Sequence, residues 1–288
     1  MRNYKFNLYD KALFYLSYIY YRFFLAFFEI KKEVFKYLLK SLILFIQQAF
    51  HLPNRNFFKK DMKIVCSKYG TFHVRPGTLD FFFISPAFER PDVNYTRKLI
   101  ASLLEKNAKV LFIDIGADIG TYSVQIGNSS KSKIDIVSIE PSNSSFTYLT
   151  RNLEQNNLTA TTFNCALSNY CGYGYLDFDA IVPGNSNLVE SNVGKKTEKI
   201  QVCTLDSLLN PGYYINFDTV VVKMDIEGGE INCLAGALNL INNSNELYLL
   251  VEDFFDSKII NHLKEIGFTF LIKKTPYNSW WYIKNKRR

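Results

Sequence analysis

Histidine is almost missing from this chain: three occur in 288 residues, His51, His73 and His262, and none lies near another. That argues against a His-based zinc site and a Ser-His-Asp triad. Cysteine is also sparse. The five, Cys66, Cys165, Cys171, Cys203 and Cys233, are odd in number, scattered, and form no C-x-x-C pair. Such a pattern suits a reducing compartment rather than a disulfide framework. Glycine and proline are absent from residues 11 to 50, so nothing interrupts one or two helices before Pro53. Acidic residues are scarce in the same region. Residues 1 to 60 hold eleven Lys/Arg against three Asp/Glu, leaving 23 basic and 24 acidic residues in the rest, so the basic character belongs to the N-terminal segment.

Within that segment Arg22, Glu29, Glu33, Lys36, Lys40 and Gln47 recur every three to seven residues, a narrow polar stripe on an otherwise Leu, Ile, Phe and Tyr surface. No short apolar core is followed by a small-residue cleavage site, which argues against a signal peptide. The window Ala12 to Ile30 is long enough to span a bilayer, yet Arg22 sits near its middle, where a charge is costly. Three readings stand: an amphipathic helix lying on an anionic membrane surface, a helical pair packed on the domain or on a second copy of it, and a transmembrane span.

What is present is apolar and aromatic. Hydrophobic residues make up 48% of the chain, including 25 Phe and 19 Tyr, which excludes disorder. The centre is KVLFIDIGADIGTYSVQIGNSSKSKIDIVSIE, Lys109 to Glu140. An apolar run to Ile115, a turn through Gly116, Ala117, Asp118, Ile119 and Gly120, a helix-compatible segment, a second apolar run and a closing acid give a nucleotide-binding βαβ unit. Glycines let the backbone approach a ligand, the helix start offers free N–H groups, and Glu140 can accept hydrogen bonds from ribose hydroxyls. A dinucleotide fingerprint would put a glycine where Ala117 and Asp118 stand, and a pyrophosphate would meet a carboxylate. The sulfonium and amino group of S-adenosylmethionine (SAM) would meet favourable charge there.

Before this unit, KIVC and TFHV flank Gly70 as a hairpin, Arg75 and Asp80 read as an ion pair closing a turn, and a helix is expected from Tyr95 to Lys106. After it come a helix over Ser144 to Asn157, a strand over Ala160 to Asn164, and the small-residue turn Asn164 to Ser168. Tyr173 to Phe178 and Glu198 to Thr204 read as antiparallel strands around a polar loop, Pro183 to Lys196, long enough for a lid. DTVVVKMDIEGGE, Asp218 to Glu230, is a buried strand ending in Asp225, Glu227 and Glu230 around a double glycine, before a helix over Ile231 to Leu240. Glu230 reads as an N-cap. Leu247 to Val251 repeats the pattern, ending in Glu252 and Asp253, and strands Phe268 to Ile272 and Trp280 to Ile283 close the domain.

The ordered set RPGTLD (Arg75 to Asp80), FIDIGADIGTYS (Phe112 to Ser123), IEP (Ile139 to Pro141), NCALS (Asn164 to Ser168), TLDSL (Thr204 to Leu208) and KMDIEGGE (Lys223 to Glu230) resembles the FkbM family of SAM-dependent methyltransferases. The resemblance implies an α/β, Rossmann-like class I methyltransferase fold: a doubly wound, mostly parallel seven-stranded sheet in the order 3-2-1-4-5-7-6. Residues 61 to 288 form that domain and residues 1 to 60 a helical extension outside it. Asp118 stands where the family commonly has Asn, and Gly229 where it commonly has Ala.

On this reading Asp114, Gly116, Ala117 and Gly120 hold the methionine part of SAM, Asp118 lies near its amino group, Glu140 takes the ribose, and Asn164 and Ala166 border the adenine. Asp225 is the candidate base, with Glu227 and Glu252 assisting; a purely structural role for the turn competes. No metal ligands are assigned, and a divalent ion at Asp225, Glu252 and Asp253 is the lesser alternative. The implied activity is O-methylation of a small-molecule, glycan or glycolipid acceptor, by a cytoplasmic enzyme that sits peripherally at the inner face of the membrane through residues 11 to 50. Homodimerisation stays open and nucleic acid is not expected as a partner. The alternatives are an inactive SAM-binding membrane protein and a nicotinamide-dependent oxidoreductase.

Overall fold

The computed structural model describes residues 62–66, 70–75, 78, 80–84, 89–177, 187–189, 197–253, 256–275 and 277–285. The N-terminal extension, with the helices expected in it, most of the Pro183 to Lys196 loop and the last three residues lie outside these. Among the described residues no helix is long and apolar enough to cross a membrane.

In chain order the elements are the hairpin β1 (Met62–Cys66) and β2 (Gly70–Val74), α1 (Asp80–Phe83), α2 (Arg90–Glu105), β3 (Val110–Ile115), α3 (Thr121–Ser129), β4 (Asp135–Ile139), α4 (Asn143–Gln155), β5 (Thr161–Phe163), β6 (Ala166–Leu167), β7 (Gly172–Asp177), β8 (Asn187–Val189) and β9 (Thr197–Cys203). They continue with α5 (Leu205–Leu208), α6 (Pro211–Tyr214), β10 (Thr219–Met224), α7 (Glu230–Ala235), α8 (Leu238–Asn243), β11 (Glu246–Glu252), α9 (Ser257–Glu265), β12 (Thr269–Lys273) and β13 (Asn278–Lys284).

Seven strands form one sheet in the order β12-β13-β11-β10-β3-β4-β5. Strands β11, β10, β3, β4 and β5 pair in parallel, and β13, the last in sequence, runs antiparallel between β11 and β12. This is the expected 3-2-1-4-5-7-6 order. A four-stranded sheet, β6-β9-β7-β8, stands beside it, with β7 and β9 antiparallel as their sequences suggest.

Both faces of the large sheet are covered, which is why its central strands read as unbroken apolar runs. On β3, Leu111, Ile113 and Ile115 join the core under α5 to α9, while Val110 and Phe112 join the core under α2 and α3. Trp280 and Trp281 split between the same two faces. Side chains alternate along a strand, so Asp114, Lys223, Glu252 and Asn278 leave the sheet on the α2/α3 face, two residues beyond Phe112, Val221, Leu250 and before Trp280. That face turns from apolar to polar at one edge.

Three elements differ from the sequence reading. Helix α2 begins five residues early, at Arg90, with Pro91 in its first turn, where proline's missing N–H costs nothing. The helix expected over Ile231 to Leu240 breaks into α7 and α8 at Gly236, where a Cβ would stand 2.1 Å from the Ser168 carbonyl oxygen. The turn Asn164 to Ser168 contains a short strand, β6, which pairs with β9. A cleft of about 480 Å³, lined by Lys109, Lys133, Tyr213 and Phe217 among others, opens at the opposite edge of the sheet, where β3 and β4 begin; none of the candidate site residues lines it.

Candidate active site

The turn after β3 and the turn after β10 are neighbours, because Asp114 pairs with Lys223 and Ile115 with Met224 in parallel register. They touch backbone to backbone. Gly116 has φ +71°, and a Cβ there would lie 1.9 Å from the Asp225 carbonyl oxygen. Gly120 (φ +87°) and Asp118 (φ 46°) complete the left-handed turn that starts α3. Ala117 is buried in the core that the hairpin shares with α4.

Asp114 is fully buried. Its Oδ2 accepts from the Ser123 amide (3.0 Å) and hydroxyl (2.6 Å), and Oδ1 lies 3.7 Å from the Lys223 ammonium. Lys223 lies inside the junction. Its Nζ donates to the Gly116 carbonyl at 2.8 Å, sits 3.4 Å from Asp225 Oδ2, and stands 5.5 Å from the centre of the Tyr122 ring. Burial pulls this ammonium's pKa down, but Asp225, Asp114 and Glu89 together carry it above the ordinary lysine value.

Glu140, at the end of β4, holds the other side of the turn. One oxygen accepts from the Asp118 amide (2.8 Å) and the other from the Ser142 amide (2.9 Å). Asn164 Nδ2 donates to the carbonyls of Glu140 (2.9 Å) and Pro141 (3.1 Å), tying the ends of β4 and β5 together; Ala166 follows on β6. The Asp118 carboxylate, placed by sequence near the amino group of the cofactor, is held by Arg75 Nη2 (2.7 Å) and the Ser145 hydroxyl (2.8 Å). The Arg75 and Asp80 pair is therefore more than a turn clamp. Asp80 Oδ1 and Oδ2 take the guanidinium at 2.8 and 3.0 Å, and its remaining N–H groups fix Ser145 and Asp118. This ties the hairpin to the cofactor turn.

On the other side of Lys223 are the acids. One carboxylate oxygen each of Asp225, Glu227 and Glu252 lie within 4.8 Å of one another. The alternative grouping with Asp253 does not assemble, since Asp253 is buried and turned to Lys273 and the Ser279 hydroxyl. Glu230 is not the N-cap, which is Gly229. Its carboxylate accepts the amides of Gly228 (3.1 Å) and Ile226 (3.4 Å) and holds the acidic turn shut.

A fourth acid, Glu89, lies outside every motif. It is 5% exposed, its Oε2 accepts from the Tyr122 hydroxyl at 2.7 Å, and its Oε1 from Asn278 Nδ2 at 3.2 Å. Lys223 and Tyr122 stand inside the motifs at Lys223 to Glu230 and Phe112 to Ser123 without an assigned role, and Glu89 and Ser145 lie outside every motif.

Burial and the Asp225 charge push Glu89 and Glu227 up to about 7 and Glu252 to about 11, and burial with Asp118 pushes Glu140 to about 8. These folded values lie above the unfolded carboxylate value of about 4.3. Their contribution to stability is complete below the unfolded value and is lost as pH rises through 7 to 8 for Glu89, Glu227 and Glu140, and through about 11 for Glu252. The ligand-free protein is expected to melt at progressively lower temperature from pH 5 to pH 9, with a smaller fall when SAM is bound; a flat or rising melting temperature between pH 6 and 8 contradicts the assignment.

The charge of this donor set fits one kind of cofactor. The two buried cations, Arg75 and Lys223, are each engaged by carboxylates, which leaves a pyrophosphate facing acids. A sulfonium is complementary to it. A seven-stranded sheet in this order, with an acid at the end of the second strand in the order and a glycine turn at its switch point, defines a class I SAM-dependent methyltransferase.

The chain belongs to the family of the methyltransferase FkbM domain, whose model matches residues 114–270. Its cofactor is SAM. A comparison with curated proteins finds no match. Among solved structures the chain is similar to a METTL16 methyltransferase domain (13% identity, 68% of this chain and 66% of that one, TM-score 0.40). It is also similar to the Pyrococcus abyssi tRNA (uracil-54, C5)-methyltransferase in complex with S-adenosyl-L-homocysteine (14%, 78% and 44%, 0.42). A third is a human methyltransferase 10 domain containing protein (12%, 85% and 96%, 0.41). The chain thus spans just under two thirds of the first of these structures and under half of the second.

Proposed function

We propose that the protein methylates a hydroxyl group of a sugar, free or carried on a glycan or glycolipid, with Asp225 as the base. The observation that carries this reading is the group of carboxylates, Asp225, Glu227 and Glu252, beside the cofactor turn, since carboxylates are strong acceptors for sugar hydroxyls. Glu140 would hold the ribose, the Gly116 to Gly120 turn the methionine portion, and Asn164 and Ala166 the adenine side. Bound SAM supplies an electrophilic methyl group.

Environment divides the work among the acids. At neutral pH Glu252, pushed to about 11, keeps its proton and donates a hydrogen bond, and Asp225 would accept the proton of the acceptor hydroxyl as its oxygen takes the methyl group and the bond from that carbon to the sulfonium breaks, with a neutral thioether as leaving group. Lys223 anchors Asp225 against the Gly116 carbonyl, so base and cofactor turn are positioned as one piece.

Asp225→Asn is expected to weaken SAM binding by no more than about tenfold and to lose roughly 100-fold or more in turnover. Undiminished turnover removes the base assignment. Glu140→Gln is expected to weaken SAM binding about tenfold by calorimetry, the loss of one hydrogen bond to the ribose; unchanged affinity argues that the ribose is held elsewhere.

The acceptor class is tested by incubating membranes and cytosol with enzyme and methyl-labelled SAM. Label in acid-released sugars is the expected result, and label confined to RNA or protein overturns it. The basic, aromatic residues 1 to 60 support a membrane-surface location, which places enzyme and lipid-linked acceptor on one surface. Removal of residues 1 to 50 should then release the protein into the soluble fraction.

A further inference from the structure

We propose that Glu89 is a charge-setting residue of the methyl-transfer site: it fixes Tyr122 and Asn278 beside Lys223 and Glu252, and supplies negative charge by which the site distinguishes the sulfonium of SAM from its neutral thioether product. The inference rests on the SAM-dependent class and not on the identity of the acceptor.

Position is the first argument. Glu89 precedes α2, where Ser, Thr, Asp or Asn would cap the helix, yet its side chain makes no capping bond. The backbone carbonyl takes the amides of Asp92 and Val93, both at 2.9 Å, and leaves the carboxylate to point inward. Residue 89 also adopts φ 42°, a left-handed conformation that is strained for a non-glycine residue. Neither choice serves the helix.

Connection is the second. Tyr122 carries Glu89 to the ring beneath Lys223, and Asn278 carries it to β13 directly opposite Glu252 in the β11/β13 pairing. The groups facing it are Asp92 on α2, Tyr122 on α3, Lys223 and Asp225 from β10 and its turn, Glu252 on β11 and Asn278 on β13. Asp92 is occupied by Trp280 Nε1 (3.0 Å) and the Thr275 hydroxyl (2.7 Å), so it serves as a brace.

Charge balance is the third. With Glu252 protonated, the carboxylates of Glu89, Asp225 and Glu227 face a single ammonium already shared with Asp114. The excess negative charge attracts a sulfonium, and the attraction vanishes when the methyl group leaves, which favours product release. Because burial and Asp225 raise Glu89 to about 7, this charge is present above that pH and absent below it.

The test compares binding of SAM and S-adenosylhomocysteine by titration calorimetry at pH 6 and pH 8 in wild type, Glu89→Gln and Tyr122→Phe. At pH 8 the preference for SAM should fall about threefold to tenfold in E89Q. At pH 6 it should match wild type within about twofold, and comparing proteins at one pH cancels the ligands' own amino titration. Glu227 and Glu140 titrate in the same range, so E89Q keeps part of the pH response and the double variant with Glu227→Gln keeps only the part that Glu140 supplies. Y122F removes a hydrogen bond but no charge, and should melt earlier with its preference intact. A wild-type preference in folded E89Q at pH 8 overturns the proposal, as does an equal loss in Y122F. Should E89Q not fold, the wild-type preference, corrected for ligand titration measured in buffer, must still rise from pH 6 to pH 8; a flat response overturns it.

Discussion

Lys223→Met is expected to destabilise the protein by about 3–5 kcal/mol, because removing one partner from a buried ion group leaves the others uncompensated. The variant keeps the length and apolar stem of lysine, so the loss is electrostatic. Asp114, with no exposure at all, would retain only its two bonds from Ser123, and the Gly116 carbonyl would lose its donor. For a domain of this size the loss corresponds to roughly 10 °C in melting temperature. Urea unfolding followed by circular dichroism measures it. SAM binding should fall with stability, since the same ammonium joins the cofactor turn to the acidic turn. A loss below about 1 kcal/mol would mean that water replaces the ammonium, and would remove the argument that the two turns act as one piece.

Gly116→Ala is the second large effect. A left-handed φ costs an L-residue about 1–2 kcal/mol, and the added methyl would lie 1.9 Å from a backbone oxygen that no rotamer change can move. The strands must shift relative to one another or the turn must open. The expected outcome is a loss of more than about 3 kcal/mol together with at least tenfold weaker SAM binding. Gly229→Ala is the internal control. There the nearest atoms are Ile226 side-chain carbons at 3.3 and 3.6 Å and φ is not left-handed, so the change should be within about 0.5 kcal/mol of neutral. Equal behaviour of the two variants would contradict the backbone contact between the turns.

Much of the fold was legible because a sheet covered on both sides writes itself into the chain as apolar runs, and glycine turns mark where those runs end. The runs at Val110, Thr219 and Leu247 became β3, β10 and β11 with boundaries within a residue. The helix break at Gly236 was not legible, since what requires a glycine there is the Ser168 carbonyl, 68 positions away in sequence, which a Cβ would approach to 2.1 Å. The early start of α2 was hidden by Pro91, which reads as a breaker unless it falls in a first turn.

The sequence by itself determined the family, the strand order that the family implies, and the residues at the ends of β3, β4, β10 and β11. These are local features: a period, a turn composition and an acid at a fixed distance from a glycine. Only the tertiary structure decided what those residues do to one another. It turned the Arg75 and Asp80 pair into a brace for Asp118, made Glu230 the tie of the acidic turn, separated Asp253 from the acids beside it in sequence, and brought in Glu89 from a helix start. The physical reason is that charge and hydrogen-bond geometry depend on distance in space, and the parallel register of β3 with β10 is what brings residues more than a hundred positions apart to within 4 Å.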